Sequence, residues 1–217
     1  MTVTADPKRP DLGSDESIVL RVLSGERELY EVLVRRHNQR LYRAARAILR
    51  NDSECEDVMQ EAYVQAFAHL AQFRAEARFS TWLTRIAVHE ALARRRRAIR
   101  HSGQTEVEEP VVIITPEQEA GGRELVKLLE RAIDALPDNF REVLILRTVE
   151  DMSVADTAAV LDVPEDTVKT RLFRARNQLR EAIADGALAK STEAYEFHAP
   201  RCNRIAAVVM ARLLSGK

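Results

Sequence analysis

The sequence predicts an all-α protein built from two small helical domains that a flexible acidic linker joins. Aromatic residues make up only 5% of the 217 residues, whereas Ala, Leu, Val and Arg dominate, which is typical of helices packed on helices. Apolar residues recur at helical spacing in two separate blocks. The segment between the blocks is rich in Glu and contains Gly103, Pro110 and Pro116, as expected of an interdomain linker.

These changes in composition divide the chain into five parts. The polar N-terminus has the character of a disordered tail, and the chain after the second block forms an extension in which we expect one short helix. The predicted parts are a tail over 1–14, a first domain over 15–100, a linker over 101–122, a second domain over 123–186 and a C-terminal extension over 187–217.

The first block contains three long amphipathic segments. Glu26–Leu49 places Leu33, Leu41 and Ile48 on one stripe of a helix. The sequence Asn-Asp-Ser that follows predicts a break and an N-cap for a helix over about Ser53–Leu70. After a short loop, Ser80 is the predicted N-cap of a helix that ends in four consecutive arginines, Arg94–Arg97.

The second block contains shorter segments separated by turn residues. Pro137 ends a helix that begins near Glu124, and Ser153 is the expected N-cap of a short helix. Pro164 lies where the first turn of a helix favours proline. The predicted helices are Glu124–Leu136, Asp138–Val149, Ser153–Leu161 and Glu165–Ala184.

The strongest local signal is a helix-turn-helix between Ser153 and Arg176. Lys and Arg on its second helix suit the phosphates and guanine edges of a DNA major groove. A solvated face on an ordinary helical hairpin is the alternative interpretation. The polar residues concerned are Thr167, Lys169, Thr170, Arg171, Arg174, Arg176 and Arg180.

A second signal combines aromatic rings with arginines at the end of the first block. Such a mixture suits single-stranded nucleic acid, because bases stack on rings while cations neutralise the backbone. In the alternative interpretation the rings belong to the core and the arginines form a polar helix end. The residues are Phe73, Arg74, Arg78, Phe79, Trp82, Arg85, His89, Arg94–Arg97, Arg100 and His101.

A third signal is acidic and lies on the first turns of one helix. Carboxylates are favoured there by the helix dipole, which is one sufficient explanation. The functional alternative is a patch that binds a basic protein partner. The residues are Glu54, Glu56, Asp57, Gln60 and Glu61.

The sequence lacks the motifs that are typical of several other classes of protein. The sequence has no Gly-rich phosphate loop and no HExxH, and its five His are not at metal-ligand spacing, so we expect neither an enzyme nor a cofactor. Cys55 and Cys202 lie far apart and fit a reducing compartment. We see neither a signal peptide nor a stretch of membrane-spanning length, and we expect a cytoplasmic protein.

Taken together, these segments resemble the extracytoplasmic-function group of sigma-70-type RNA polymerase sigma factors. Glu56–Tyr63 (EDVMQEAY) and Phe79–Ala87 (FSTWLTRIA) are similar to two stretches of the family's region 2. Leu136–Val143 is similar to the start of region 4, and Asp166–Arg176 (DTVKTRLFRAR) to its recognition helix. The resemblance covers about residues 15–183, so the extension lies outside it.

The resemblance implies a role for each signal. Asp57, Gln60 and Glu61 would bind the clamp helices of the largest subunit of core RNA polymerase, and the flap is a further expected contact. The linker would thread toward the RNA exit path, and an anti-sigma factor is a further expected partner. The minus-ten promoter element would be read and melted by Arg74, Arg78, Phe79, Trp82, Arg85, His89 and Arg94. The minus-thirty-five element would be read by Lys169, Thr170, Arg171, Phe173, Arg174 and Arg176.

One further expectation concerns the free protein. The net charge is −1, and an acidic linker lies beside basic helices, so we expect the domains to close on each other until polymerase separates them. The competing hypothesis is a stand-alone helix-turn-helix regulator that binds duplex operators. That hypothesis assigns no function to the aromatic and arginine stretch at Phe79–Arg97.

Overall fold

The computed structural model describes residues 13–102, 121–182 and 194–215, and the described residues form α-helices without any strand. Most of the predicted tail and linker lie outside these ranges. The helices are α1 (Asp15–Leu23), α2 (Tyr30–Leu49), α3 (Asp52–Ala68), α4 (Phe79–Ser102), α5 (Gly121–Asp134), α6 (Asp138–Leu144), α7 (Val154–Leu161), α8 (Glu165–Ala182) and α9 (Ala199–Ser215).

Two predicted N-caps are confirmed. The side-chain oxygen of Asn51 accepts a hydrogen bond from the backbone nitrogen of Glu54, 3.0 Å away, at the start of α3. The Ser153 hydroxyl accepts one from the nitrogen of Asp156, 2.9 Å away, at the start of α7. Each bond satisfies an amide that has no partner within its helix.

Other predicted boundaries are wrong. A 3-10 turn over Arg27–Leu29 precedes α2, which begins four residues later than Glu26. Ser80 does not cap α4, because it already lies within the first helical turn. The carbonyl oxygen of Arg78 closes that turn by accepting from the nitrogen of Trp82, 3.1 Å away. In the second block, the predicted helix Asp138–Val149 is α-helical only as far as Leu144, and a π-helical turn follows over Ile145–Val149.

Helices α2, α3 and α4 pack as a three-helix bundle, with α1 against α2. Buried tyrosines tie the bundle together. The Tyr30 hydroxyl donates to the carbonyl oxygen of Tyr63, 2.8 Å away, and the Tyr63 hydroxyl donates to that of Val34, 3.0 Å away. Both hydroxyls therefore have a hydrogen-bond partner although their rings are buried, as a stable core requires. Burial also raises the pKa of both phenols.

Helices α6, α7 and α8 form the helix-turn-helix unit. Asp162 lies between α7 and α8 in a left-handed conformation with φ of 54°, which ends α7 and turns the chain. Val143, Ala158 and Val168, one from each helix, form a small apolar core. The unit therefore holds α8 in a fixed orientation relative to α7.

The helix-turn-helix unit packs directly on the bundle. Helix α6 contacts α2, and α7 contacts α4. Arginines at the end of α2 pair with acidic residues on either side of the α5–α6 turn. Arg46 lies 3.0 Å from Asp134 of α5, and Arg50, the residue after α2, lies 3.3 Å from Asp138 of α6. The two parts are thus in direct contact, in what we call the closed arrangement.

The predicted short helix in the extension is longer than expected. The apolar run Ile205–Leu214 lies inside the 17-residue helix α9, which packs on α2 and α3. Ile205, Ala206, Val209 and Met210 are its buried residues. Among the helices of the described ranges, none has the length and apolar character needed to cross a membrane.

Candidate nucleic-acid interface

Helix α8 presents a basic surface opposite its buried face. Val168, Ala175 and Leu179 face the core. The Phe173 ring is 66% exposed, which is unusual for a large apolar side chain and indicates a contact surface. Of the residues predicted to read DNA, Arg171 is half-buried, whereas the exposed ones are Lys169, Thr170, Phe173, Arg174 and Arg176.

Local bonds orient the start of α8. The Lys169 ammonium lies 2.9 Å from the carboxylate of Asp166, which raises the pKa of the lysine. The Thr170 hydroxyl donates to the backbone oxygen of Asp166, 2.8 Å away. Further along, Arg176 donates to the Thr148 hydroxyl at 3.4 Å. The first turn of α8 thus carries its own anion, and the cationic surface strengthens beyond it.

The loop before α4 and the exposed side of α4 form a second basic surface. Arg74, Arg78, Arg85 and His89 are exposed there, as predicted. Phe79 is not available to a base, because its ring is fully buried. This placement corrects its predicted role: the ring packs against Phe73, Trp82 and His37 and supports the loop from below.

A cavity of about 160 Å³ opens between this loop and α4. Phe73 and Trp82 line it together with the guanidinium-bearing residues Arg74 and Arg85. Aromatic faces and cations around one cavity are the chemistry that holds an unstacked base. Asp156 of α7 also lines this cavity, a contact between the two units that the sequence analysis missed.

The arginine run at the end of α4 is partly engaged by carboxylates. Arg94 lies 3.0 Å from Asp57, on α3. Arg95 lies 2.6 Å from Glu142 and 3.1 Å from Asp138 of α6. Arg97 also lies 3.4 Å from Glu90 of α4, so carboxylates pair with three of the cations that were predicted to face a DNA backbone.

The pairs between the units include buried carboxylates. Glu142 and Glu150 are both nearly inaccessible to solvent, and burial raises the pKa of each despite nearby arginines. Arg40 lies 3.1 Å from the Glu150 carboxylate. Such pairs are costly to desolvate, and either charge left unpaired in the buried site would be strongly destabilising.

The acidic residues of α3 have different environments. Asp57 is exposed and pairs with Arg94, Gln60 is half-buried, and Glu61 lies 3.1 Å from Arg212 of α9. Glu56 is buried under α9. These partners on α9 were not predicted, although the arginines of the extension recur at helical spacing, which is a signal for such pairing. In the described residues no cluster of His, Cys, Asp and Glu is arranged to hold a metal ion.

Two family models match the chain at the units just described. Sigma-70 region 2 matches residues 33–101, and sigma-70 region 4 matches residues 127–179. The bundle and the helix-turn-helix unit are therefore the two regions that define a sigma-70-type factor.

Curated relatives and solved structures agree with this class. The chain is 35% identical over 171 residues to the ECF RNA polymerase sigma factor SigM of Mycobacterium tuberculosis, covering 78% of this chain and 85% of the relative. It is 32% identical to the ECF RNA polymerase sigma-E factor of Haemophilus influenzae, covering 78% and 95%. The fold is similar to the sigma factor RpoE of Bartonella quintana in complex with the anti-sigma factor NepR, with a TM-score of 0.52 and 24% identity over 79% of this chain and 96% of that one.

The chain belongs to the extracytoplasmic-function group of sigma-70 RNA polymerase sigma factors. It is a transcription initiation factor that directs RNA polymerase to promoters, and it is not an enzyme. The stand-alone regulator is thereby set aside, since a region 2 bundle accompanies the helix-turn-helix.

Proposed function

We propose that the chain grips a promoter at two points, with α8 at the minus-thirty-five element and the loop and outer face of α4 at the minus-ten element. The observation that carries this proposal is the cavity beside Trp82, which combines ring faces and arginines at one opening. The domain limits that we assign are 15–100 for the minus-ten unit and 123–186 for the minus-thirty-five unit.

At the minus-ten element, Arg74 and Arg78 neutralise the backbone of the separated strand and His89 adds a polar contact to it, whereas Arg85, which lines the cavity, contacts the unstacked base. Trp82 supplies a ring beside the cavity into which one unstacked base inserts. Phe79 acts only by supporting the loop. Extrusion of a base breaks its pair and its stacking, so recognition of that base and local opening of the duplex occur at the same unit.

At the minus-thirty-five element, α8 enters the major groove. Arg171 and Arg174 reach base edges or phosphates, and Lys169 and Arg176 add phosphate contacts. Phe173 contributes apolar contact, for which its exposure leaves it free. Asp166 repels phosphate, so Lys169 exchanges this carboxylate for a phosphate when α8 binds DNA.

Core RNA polymerase binds the side of α3 that carries Asp57, Gln60 and Glu61. Arg94 is the residue that must exchange partners here, because it holds the Asp57 carboxylate in the free chain. Once Asp57 turns to the polymerase, the Arg94 guanidinium becomes available to the promoter backbone. Docking and DNA binding are thus coupled through one ion pair.

The closed arrangement describes the protein before it meets polymerase. Asp156 faces the cavity meant for a base, and Glu142 and Asp138 hold Arg95. Separation of the two units removes these carboxylates from the basic surfaces. The free chain therefore binds promoter DNA poorly, and polymerase provides the energy that separates the units.

The protein acts in the cytoplasm, where core polymerase and the chromosome are found. An anti-sigma factor is a further partner that we propose. The analogy is with the Bartonella quintana sigma factor, whose fold is similar to that of the chain and which is bound to an anti-sigma factor in its structure. Such a partner stabilises the closed form by binding it more tightly than the open one.

In vitro transcription from a library of promoter fragments tests the proposed grip. Core polymerase with the wild-type chain defines preferred bases at both elements. Arg85→Ala should relax the preference at the minus-ten element alone, with a loss of about tenfold in initiation from the best fragments, whereas the same change at the exposed Arg27 should alter neither element. Identical base preferences for wild type and Arg85→Ala would contradict the assignment.

A further inference from the structure

Helix α9 lies along α3 in the same direction. Arg201 pairs with Asp52 at the start of α3, at 2.9 Å, and Arg212 pairs with Glu61, nine residues further along, at 3.1 Å. Both contacts join the extension to the helix that carries the polymerase-docking residues. The region 4 match ends at residue 179, so α9 is an addition to the two matched regions.

Glu56 is the centre of this contact. The Nε atom of Arg201 donates to one of its carboxylate oxygens at 2.7 Å, and Nη2 of Arg204 lies 2.7 and 2.6 Å from the two oxygens. The Glu56 side chain retains only 11% of its exposure. A carboxylate that is buried to this extent needs such partners, because an unpaired buried charge is strongly destabilising.

Apolar and ring contacts seat the helix. Ile205, Ala206 and Val209 of α9 are fully buried. The Arg201 guanidinium lies 5.2 Å from the centre of the Tyr42 ring and 5.6 Å from that of Phe197. Helix α9 is therefore docked by shape as well as by charge, and in the free chain it occupies the space beside Glu56 and Glu61.

We propose that α9 is a built-in mask that competes with core polymerase for the acidic side of α3. The proposal rests on the docking role proposed above for Asp57, Gln60 and Glu61. Glu61 cannot present its carboxylate to a basic helix of the polymerase while Arg212 holds it. The arginines of α9 supply to Glu56 and Glu61 the kind of charge that a partner would supply. Displacement of α9 is then a step in activation. Masking lowers the apparent affinity for polymerase in proportion to the fraction of chains that remain unmasked.

The test uses the full chain with Arg204→Glu, which places a carboxylate next to Glu56. Arg204 is 56% exposed, so the change leaves the apolar seat of α9 intact. Arg212→Glu is the second variant, and Arg27→Glu is the control with the same change of charge at an exposed arginine of the 3-10 turn before α2. Two quantities are measured: hydrogen exchange of the amides of 199–215 in the free chain, and the Kd for purified core polymerase.

We expect both α9 variants to exchange faster over 199–215 and to bind core polymerase about tenfold more tightly than wild type and Arg27→Glu. Unchanged exchange in both variants would overturn the proposal, because the ion pairs would then not hold α9. Faster exchange with an unchanged or weaker affinity would also overturn it. Asp57→Ala separates the two proposals: if it weakens polymerase binding while the α9 variants do not strengthen it, the docking side stands and the mask fails.

Discussion

The guanidinium of Arg141 joins the two regions, because its Nε atom donates a 2.7 Å hydrogen bond to the carbonyl oxygen of Ala47. Ala47 lies in the last turn of α2, where carbonyl groups have no partner within the helix and the helix dipole favours a cation. The Arg141 side chain is fully buried and also donates to the Leu136 oxygen and the Asp138 carboxylate. One side chain thus caps a helix of region 2 from within region 4.

Removal of this side chain should loosen the closed form. Arg141→Ala leaves the buried Ala47 oxygen without its donor and leaves the Leu136 oxygen with Arg50 as its remaining donor, which we expect to lower the free energy of unfolding by about 2–4 kcal/mol in urea denaturation at neutral pH. Arg180→Ala, an exposed change on α8, is the control and should alter stability by less than about 0.5 kcal/mol. Equal stabilities for the two variants would show that Arg141 does not hold the regions together.

Acid should release α1 from α2. The Asp15 carboxylate lies 2.7 Å from Nε2 of His37 and 3.0 Å from Nη1 of Arg36, and these partners, His37 foremost, lower the pKa of Asp15. Because the folded pKa lies below the unfolded one, the stabilisation is complete above the unfolded value and is lost as the pH falls through the folded value.

The variant Asp15→Asn measures this contribution. Relative to wild type we expect a loss of about 1–2 kcal/mol in the free energy of unfolding well above pH 4, and a difference that shrinks as the pH falls below about 4. Urea denaturation at a series of pH values supplies the comparison. A difference that grows on acidification would contradict the assignment.

The recognition helix offers a prediction about base preference. Arg171→Ala should reduce the discrimination between the best minus-thirty-five sequence and single-base variants by about 1–3 kcal/mol, if the guanidinium makes a bidentate base contact. Arg180→Ala, nine residues further along the same helix, serves as the control. Runoff transcription from matched promoters measures the effect, and unchanged selectivity would rule out Arg171 as a base-reading residue.

Polymerase docking is tested at the exposed end of α3. Asp57→Ala should weaken binding to core polymerase about tenfold, since it removes a charged hydrogen-bond acceptor from the interface. Glu54→Ala, one turn earlier on the same helix, should have little effect. Circular dichroism checks that both variants keep their helices. The docking assignment fails if both variants bind polymerase as wild type does.

Local signals explain which parts of the fold could be predicted. The caps at Asn51 and Ser153 depend on side-chain oxygens within three residues of the amides that they bind, so sequence spacing reveals them. Ser80 is the same type of residue, but it lies inside the helix, because the first turn of α4 is closed by the carbonyl oxygen of Arg78, two residues before Ser80. Propensity alone does not distinguish the two cases.

Contacts between distant residues explain the rest. Arg141 and Ala47 are 94 residues apart, and Arg204 and Glu56 are 148 apart, so no periodicity joins them. The burial of Phe79 is a similar case. The sequence is compatible with a ring that stacks on a base and with a ring that belongs to the core, and in the fold the Phe79 ring packs against Phe73 and Trp82. The exposed face of α8, by contrast, follows directly from helical spacing, and its predicted residues were found there except for the half-buried Arg171.

The most direct test of the two-point grip compares binding of one promoter duplex by the free chain and by the chain with core polymerase. We expect weak, salt-sensitive and sequence-independent binding by the free chain. With polymerase we expect specific binding, which is lost when either the minus-ten or the minus-thirty-five element is scrambled. Tight and specific binding of the duplex by the free chain, unchanged on addition of polymerase, would contradict it.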